Sequence, residues 1–294
     1  RGLITVGLIT VVFASNSPVL HAATAGERAP PVLLLNAACA ALALVGLLGF
    51  GSAAAPLAPT AAAVEDAYDF EAWRRGGELG LWKFLGATAN LYGLSLTSAD
   101  HGAFLIQLTT LIVPLAQGVR GVPIPRRIWA AVALALAGVF IFTLDPAASA
   151  TDASQQGDAL CVLAAVFYGT YDLRLFEHGK RVAPVNLITT KITAQAILSV
   201  GAAAVAYDAV APQLADFLAN APPDAPRDVL CAALWSGLVV NAFASILQVS
   251  GQQAVGPARA QVVYASQPLW AALLSLVFLG ETVGAQGAVG GALF

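Results

Sequence analysis

The sequence contains no methionine, only three cysteines and only 11% charged residues. A soluble globular chain carries about 25% charged residues, so this composition excludes that class. Cys39, Cys161 and Cys231 each fall inside an apolar run and lack CxxC or Cys/His spacing, which argues against a zinc site or a disulfide framework. With a net charge of −3, the chain also lacks the basic face that a nucleic-acid partner requires.

Enzyme motifs are absent as well. The sequence has no nucleophile elbow, P-loop, G-x-G-x-x-G or metal-spaced histidine cluster. Its three histidines, His21, His101 and His178, fall in predicted loops or helix ends. We therefore expect a protein that is not an enzyme, with no catalytic residue, metal or cofactor. The chain opens on Arg1 directly before an apolar run, which suggests a fragment or a processed form.

Long apolar runs account for most of the chain, which is 58% hydrophobic with a mean hydropathy of +0.76. Most runs are ~17–21 residues long, the length of a helix that crosses a ~30 Å hydrocarbon layer. They predict about ten membrane crossings, at residues 2–19, 31–50, 79–96, 103–119, 128–144, 159–175, 187–206, 229–249, 260–279 and, cut short, 283–294.

The distribution of basic residues supports this number independently. With ten crossings, ten of the fourteen lysines and arginines fall on one side of the membrane. Only Arg28 and Arg227 fall on the other side, and Lys83 and Lys191 lie within helices. The bias follows the positive-inside rule and places both termini on the basic, normally cytoplasmic, side.

The final stretch, from Gly256 to Phe294, contains the most informative pattern. Its uncharged run from Ala260 to Leu279 has Pro268 in the middle, which removes one helical hydrogen bond and frees the carbonyl of Tyr264. In lipid a freed carbonyl needs a partner, so we expect this kink to lie against protein or a water-filled cavity.

The same pattern occurs earlier, where Pro114 interrupts another apolar run. Shifting the first copy by roughly 158 residues aligns Gly93 with Gly251 and Asn90 with Gln248, and a repeat at half the chain length suggests two similar halves that enclose a site.

Three polar stretches separate the apolar runs. Gly51–Glu78 is predicted to be an unstructured linker, with docking on the membrane through Phe70 and Trp73 as the alternative. Asp145–Asp158 is expected to form the hinge between the halves, and Tyr207–Asp228 a solvated loop.

Several motifs resemble one known family over essentially the whole chain. They are Gly80–Gly86, Thr97–Phe104 and Val113-Pro114 in the first half, and Gly157–Cys161, Val263–Trp270 and Leu279-Gly280-Glu281 in the second. With these motifs the chain resembles an EamA-type member of the drug/metabolite transporter superfamily, in a form similar to plastid and cyanobacterial members. The first half has Gly121-Val122-Pro123 where the second has Leu279-Gly280-Glu281, so the repeat is imperfect.

The resemblance implies an all-α, multi-pass integral membrane protein with about ten transmembrane helices in two inverted five-helix repeats. The repeats would be residues 1–145 and 157–294, joined by a linker at 146–156. The implied function is secondary transport or exchange of a small polar metabolite by alternating access in a lipid bilayer. The similarity to plastid members further implies a plastid membrane. Gly287 and Gly291 form a GxxxG motif that is compatible with a homodimer.

Polar side chains inside the apolar runs are the candidate substrate contacts, because such groups are costly in lipid and usually face a cavity or another helix. Helix-to-helix hydrogen bonding is the alternative for each of them. The candidate substrate-binding residues are Asn90, Gln107, Tyr168, Asn241, Tyr264, Gln267 and Lys191.

Lys191, together with Lys83, raises a sharper question. Both could attract an anionic group of a substrate, or both could snorkel to the basic membrane surface through their long aliphatic stems. Asp172 could couple transport to protons or form a local pair with Arg174.

A non-transporting scaffold or receptor-like protein with the same fold is the alternative function, and a polytopic enzyme is a third.

Overall fold

The computed structural model describes residues 2–24, 30–54, 69–96, 105–143 and 155–279. Every regular element in these ranges is helical, as the sequence predicted. The helices are α1 Gly2–Thr24, α2 Val32–Ala54, α3 Phe70–Leu96, α4 Thr109–Val119, α5 Arg126–Thr143, α6 Gln155–His178, α7 Pro184–Val205, α8 Tyr207–Asn220, α9 Ala225–Leu234, a π-helix at Trp235–Ala244, α10 Ser245–Val255, α11 Pro257–Tyr264 and α12 Gln267–Leu279.

Four helical stretches within the described ranges are long and apolar enough to cross a membrane. They are Val32–Gly49, Gln155–His178, Pro184–Val205 and the continuous Ala225–Val255. Each coincides with an apolar run in the sequence. The ten crossings and their arrangement as two inverted repeats stay a prediction, and the last apolar run, with Gly287 and Gly291, lies outside the described residues.

The stretch Gly51–Glu78, predicted to be an unstructured linker, is helical at both of its ends, and residues 55–68 lie outside the described residues. Helix α2 continues to Ala54, and α3 already begins at Phe70. The Asp69 carboxylate accepts a hydrogen bond of 2.8 Å from the backbone N–H of Ala72, which caps the exposed start of α3. An N-cap aspartate of this kind satisfies one of the amide donors that a helix leaves open at its first turn.

The stretch from Tyr207 to Asp228 is not the loop that its four aspartates predicted. Residues Tyr207–Asn220 form α8, which buries Val210 and Phe217 and leaves most of its other side chains exposed. The two buried residues are spaced i, i+7 and therefore share one face, so α8 is amphipathic. In the sequence, the apolar residues of this stretch show too weak a helical periodicity for α8 to be predicted.

The helix predicted to kink at Pro268 is instead divided in two. Helix α11 ends at Tyr264, a turn occupies Ala265 and Ser266, and α12 starts at Gln267. Pro268 thus occupies the second position of a new helix, where its missing N–H has no partner to lose. In contrast, α4 runs through Pro114 without interruption.

The chain forms two compact units, each of which takes residues from both halves of the sequence. Unit 1 comprises Arg1–Ala14, Leu85–Glu177 and Gly251–Phe294, and unit 2 comprises Ser15–Phe84 and His178–Ser250.

In unit 1, α11 packs against α4 and α5. Its apolar contact is built on Ile128, Val132 and Ala258, with Leu111 and Val262 against them.

In unit 2, α2 is the central helix and packs along both α7 and the π-helix. Gly237 makes the second contact close, because a Cβ there would lie 2.8 Å from the carbonyl oxygen of Cys39. Small residues at such crossings let helix backbones approach each other in lipid. A neighbouring apolar cluster is formed by Leu35, Cys39 and Ala233.

Candidate functional site

The candidate substrate contacts are divided between the two units. Lys191 and Asn241 belong to unit 2. The other five belong to unit 1: Asn90, Gln107, Tyr168, Tyr264 and Gln267. Each unit is therefore described separately.

Lys191 is the most deeply buried of the candidates, with 0% of its surface exposed. It lies in the second turn of α7, and Gln195 and Ser199 follow it at i+4 and i+8 on the same helix face. Both are also buried, at 3% and 2% exposure. The side chain therefore does not snorkel to a surface, which removes that alternative for Lys191.

A glycine face of α3 presses against this part of α7. A Cβ on Gly80 would lie 2.6 Å from the carbonyl oxygen of Lys191, and a Cβ on Gly76 would lie 1.8 Å from the hydroxyl of Thr190. The Thr190 hydroxyl in turn lies 3.1 Å from the carbonyl oxygen of Ala72 and shares its hydrogen with the carbonyl oxygen of Asn186, 2.9 Å away in its own helix. The absence of side chains at the two glycines is thus what brings α3 into backbone contact with α7.

Buried polar atoms that have no hydrogen-bond partner among the described residues surround this region of α7. They are Nδ2 of Asn186, Oγ1 of Thr189 and Oε1 of Gln195. Leaving such an atom unsatisfied costs about 1–3 kcal/mol, so three within ten residues need an explanation. One explanation that the chemistry of these groups allows is a ligand that supplies the hydrogen-bond partners.

A second lysine acts on the same region. Lys83, on α3 and half-buried, lies close enough to Lys191 to repel it electrostatically. Asn36 of α2 donates a hydrogen bond of 3.5 Å to the hydroxyl of Ser199. Unit 2 therefore places two lysines and several uncharged polar groups inside an otherwise apolar set of helices.

Asn241 lies in the π-helix and is half-buried. The first turn of this π-helix is held to α1 by two hydrogen bonds: the indole N–H of Trp235 donates to Ser15 at 3.0 Å, and the hydroxyl of Ser236 donates to Asn16 at 2.6 Å. π-Helical turns are rare and frequently occur at functional sites. The sequence placed Asn241 in an apolar run but gave no sign of the wider helical turn.

In unit 1, Asn90 and Tyr168 lie on neighbouring helices and are half-buried. Oδ1 of Asn90 is buried and has no hydrogen-bond partner in the part of the chain that the structure describes. Tyr168 packs on α3 at Gly86, where a Cβ would lie 2.7 Å from its ring. Gln107 precedes α4, and its backbone carbonyl accepts a hydrogen bond of 2.7 Å from Thr110, which makes it a helix-start residue.

Tyr264 and Gln267 flank the turn between α11 and α12. Tyr264 is buried, and its ring centroid lies 6.2 Å from that of Phe13 in a tilted arrangement. Gln267 is half-buried and opens α12. Because the helix is divided between them, the i, i+3 spacing does not by itself place these two side chains on one face.

Unit 1 also holds a buried carboxylate that the candidate list did not include. Asp172 of α6 is 6% exposed and accepts hydrogen bonds from two amide groups, Nε2 of Gln252 at 3.1 Å and Nε2 of Gln261. Arg174 donates a hydrogen bond to the carboxylate of Glu177. Three charged or polar residues far apart in the sequence meet here, so spacing along the chain could not have revealed the site.

A chain of ionic contacts lies at the start of α3 in unit 2. Arg75 contacts Glu71 at 2.7 Å and His178 at 3.1 Å, and His178 contacts Glu78 at 2.9 Å. The hydrogen bond from Arg74 and the nearby guanidinium of Arg75 lower the pKa of the exposed Glu71 carboxyl. Within the described ranges no group of three or more histidine, cysteine, aspartate or glutamate side chains is arranged to hold a metal ion.

Comparison with known proteins links this arrangement to a family. Twenty-seven chains of solved structures match, and one crystal structure of a protein has a TM-score of 0.65 over 98% of this chain and 92% of its own length. At 16% identity that likeness concerns the fold alone. The comparison with curated proteins gives no match. The profile of the EamA-like transporter family matches residues 155–294, a range that contains α6, α7 and the buried Lys191. The chain is therefore a multi-pass membrane protein whose residues 155–294 match the EamA-like transporter family.

Proposed function

We propose that this protein is a secondary transporter or exchanger that moves a small polar metabolite carrying an anionic group, by alternating access. One observation carries the proposal: a fully buried lysine, Lys191, lies among buried amide and hydroxyl groups on a helix long enough to cross a membrane. Ionisable residues inside membrane helices are rare and mark substrate or ion pathways.

The electrostatics favour an anion. Removing an ammonium group from water costs several kcal/mol, and the nearby Lys83 adds repulsion to that cost. A carboxylate or phosphate group of a substrate would offset both terms. The buried amide of Asn186 and the hydroxyl of Thr189 could then bond the same group or a neighbouring hydroxyl of the substrate.

The inverted repeat that alternating access requires is supported by two matched glycines. A Cβ on Gly93 of α3 would lie 2.6 Å from the sulfur of Cys161 on α6, and a Cβ on Gly251 of α10 would lie 3.0 Å from Val6 on α1. The sequence repeat pairs Gly93 with Gly251. Both positions are therefore close helix crossings within unit 1, which is what repeated five-helix halves would produce.

The remaining candidates stay part of the proposal as substrate contacts. In unit 1 these are Asn90, Gln107, Tyr168, Tyr264 and Gln267, and in unit 2 it is Asn241. The homodimer, the plastid membrane and the division into repeats at residues 1–145 and 157–294 likewise remain predictions.

The test is transport by the purified protein in liposomes. We would load proteoliposomes with one unlabelled compound at a time, from a panel of carboxylates, phosphates, neutral sugars and zwitterionic amino acids. Exchange is then measured as uptake of the same compound, labelled, from the outside. We expect exchange of at least one anionic compound, and a loss of that exchange in Lys191→Gln, because the glutamine keeps polarity and removes the charge. Lys180→Gln is the matched control, since Lys180 is exposed next to the start of α7.

Three outcomes contradict parts of the proposal. No exchange of any compound in the panel would favour the scaffold or receptor-like alternative. Exchange of neutral compounds only would overturn the anionic substrate class and leave transport intact. Equal rates in Lys191→Gln and Lys180→Gln would remove Lys191 from the site.

A further inference from the structure

Asp172 is a buried carboxylate that accepts hydrogen bonds from the amide groups of two glutamines in unit 1. Gln252 donates to one carboxylate oxygen and Gln261 to the other. All three side chains are nearly inaccessible, at 6%, 0% and 2% exposure. An amide donor stabilises a negative charge, but unlike an arginine it carries no charge of its own that would be left buried if the carboxylate were neutralised.

The same three residues can also hold a protonated Asp172. Gln252 has a second polar atom, Oε1, which is buried and accepts no hydrogen bond from any described residue. A protonated carboxyl group has an O–H that must find an acceptor in a buried site. Rotation of the Gln252 amide about its last side-chain bond would present Oε1 to that proton, so both protonation states can be satisfied.

The two glutamines flank a tight turn. Gln252 lies at the end of α10 and Gln261 in α11, and Gly256 between these helices has φ +83° and ψ 153°, a conformation that is open essentially only to glycine. Gln253 adds a hydrogen bond of 2.6 Å to the carbonyl oxygen of Phe176 on α6. The Asp172 carboxylate therefore pins the turn between α10 and α11 to α6.

Other ionisable groups are present on the elements around Asp172. Tyr171 interacts electrostatically with both Asp172 and the buried Tyr264 of α11. The other ionisable residues of α6 include Asp158 and His178 at its two ends, and Arg174 and Glu177, which form one ionic chain with Arg120. Helix α11 carries the exposed Arg259.

We propose that Asp172 is a proton-binding site, and that its protonation loosens the Gln252–Gln261 clamp and so couples proton movement to substrate movement. The inference rests on the proposed transport function. Neutralising the carboxylate turns two charge-assisted hydrogen bonds into weaker neutral ones, which weakens the attachment of the turn at Gly256 to α6.

The experiment uses proteoliposomes that contain wild type, Asp172→Asn or the control Glu177→Gln, which alters a more exposed carboxylate on the same helix. Exchange of labelled substrate is measured without a pH gradient, and net accumulation is measured with an acidic exterior. If one proton enters with each singly charged anion, the transported pair is neutral and the pH gradient alone drives its uptake. We then expect wild type and Glu177→Gln to accumulate substrate by up to about tenfold per pH unit. Asp172→Asn should retain exchange and lose accumulation.

The possible results separate the two proposals. A wild type that moves no solute overturns the transport function and the coupling with it. A wild type that exchanges substrate but ignores the gradient, or an Asp172→Asn variant that accumulates as well as wild type, overturns the proton site alone.

A second measurement does not depend on the variant being folded. Hydrogen exchange of residues 250–262 in wild type, corrected for the intrinsic pH dependence of exchange, should show protection that falls as pH is lowered. Protection that stays constant from alkaline to acidic pH would overturn the clamp.

Discussion

Replacing Gly80 by alanine tests the contact that positions the candidate substrate site. The added Cβ would lie 2.6 Å from the carbonyl oxygen of Lys191 and 2.7 Å from the Cβ of Ala194, whereas ordinary contacts are 3.4–4 Å. Both neighbours belong to the regular part of α7 and cannot rotate away. Helix α3 must therefore move from α7 by roughly 1 Å, and overpacking of this kind costs about 1–3 kcal/mol.

Gly77→Ala is the matched control, because a Cβ at Gly77 meets nothing within 4 Å. Both substitutions exchange a glycine for an alanine in the same helix and gain the same helix propensity, about 0.5–1 kcal/mol. The difference between the two variants thus isolates the cost of the Gly80 contact. We expect Gly80→Ala to be less stable than Gly77→Ala by about 1–3 kcal/mol.

The assay is thermal unfolding of the detergent-solubilised protein, with the three proteins compared at one heating rate. At about 2–4 °C per kcal/mol for a chain of this size, Gly80→Ala should unfold several degrees below Gly77→Ala. Equal unfolding temperatures for the two variants would show that α3 and α7 are not in backbone contact at Gly80, and the argument for the buried surroundings of Lys191 would fail with it.

Three further predictions use other features of the described structure. Thr190→Val should destabilise the protein by about 1–2 kcal/mol, because it removes a buried hydrogen bond, whereas Thr193→Val, which alters a half-buried bond within α7, should destabilise it less. If thermal unfolding shows the same loss of stability in both variants, the contact between α3 and α7 is contradicted. Maleimide should label one thiol rapidly in the native protein and three after unfolding, because Cys231 is exposed and the other two cysteines are buried; rapid native labelling at a second site, seen by mass spectrometry, would refute this. Glu71→Gln should lower stability above about pH 4.5 and have no effect well below it. The reason is that Arg74 lowers the pKa of Glu71 in the folded protein, and that stabilisation is lost only when the carboxylate is protonated. In a series of unfolding curves at different pH, a difference from wild type that persists at acidic pH would contradict the ion pair.

Much of the helical framework could be predicted from the sequence because a membrane helix needs a long apolar run, and such runs are visible in one dimension. The four spans found by length and composition, and the positions of α1 and α5, coincide with predicted runs. Local chemistry also contained signals that could have been used, such as Asp69 as the cap of α3. Helix α8 escaped prediction because its apolar face consists of little more than Val210 and Phe217.

The sequence determined that polar residues lie inside apolar helices, and it therefore named Lys191 as a candidate. Only the tertiary structure decided that Lys191 is enclosed and does not reach a surface, because that depends on Gly76 and Gly80 of α3, more than a hundred residues away, leaving room for α7. The same holds for Asp172, whose partners Gln252 and Gln261 come from helices at the other end of the sequence. Hydropathy is a property of each segment alone, whereas burial and pairing of a polar group depend on which other segments fold against it.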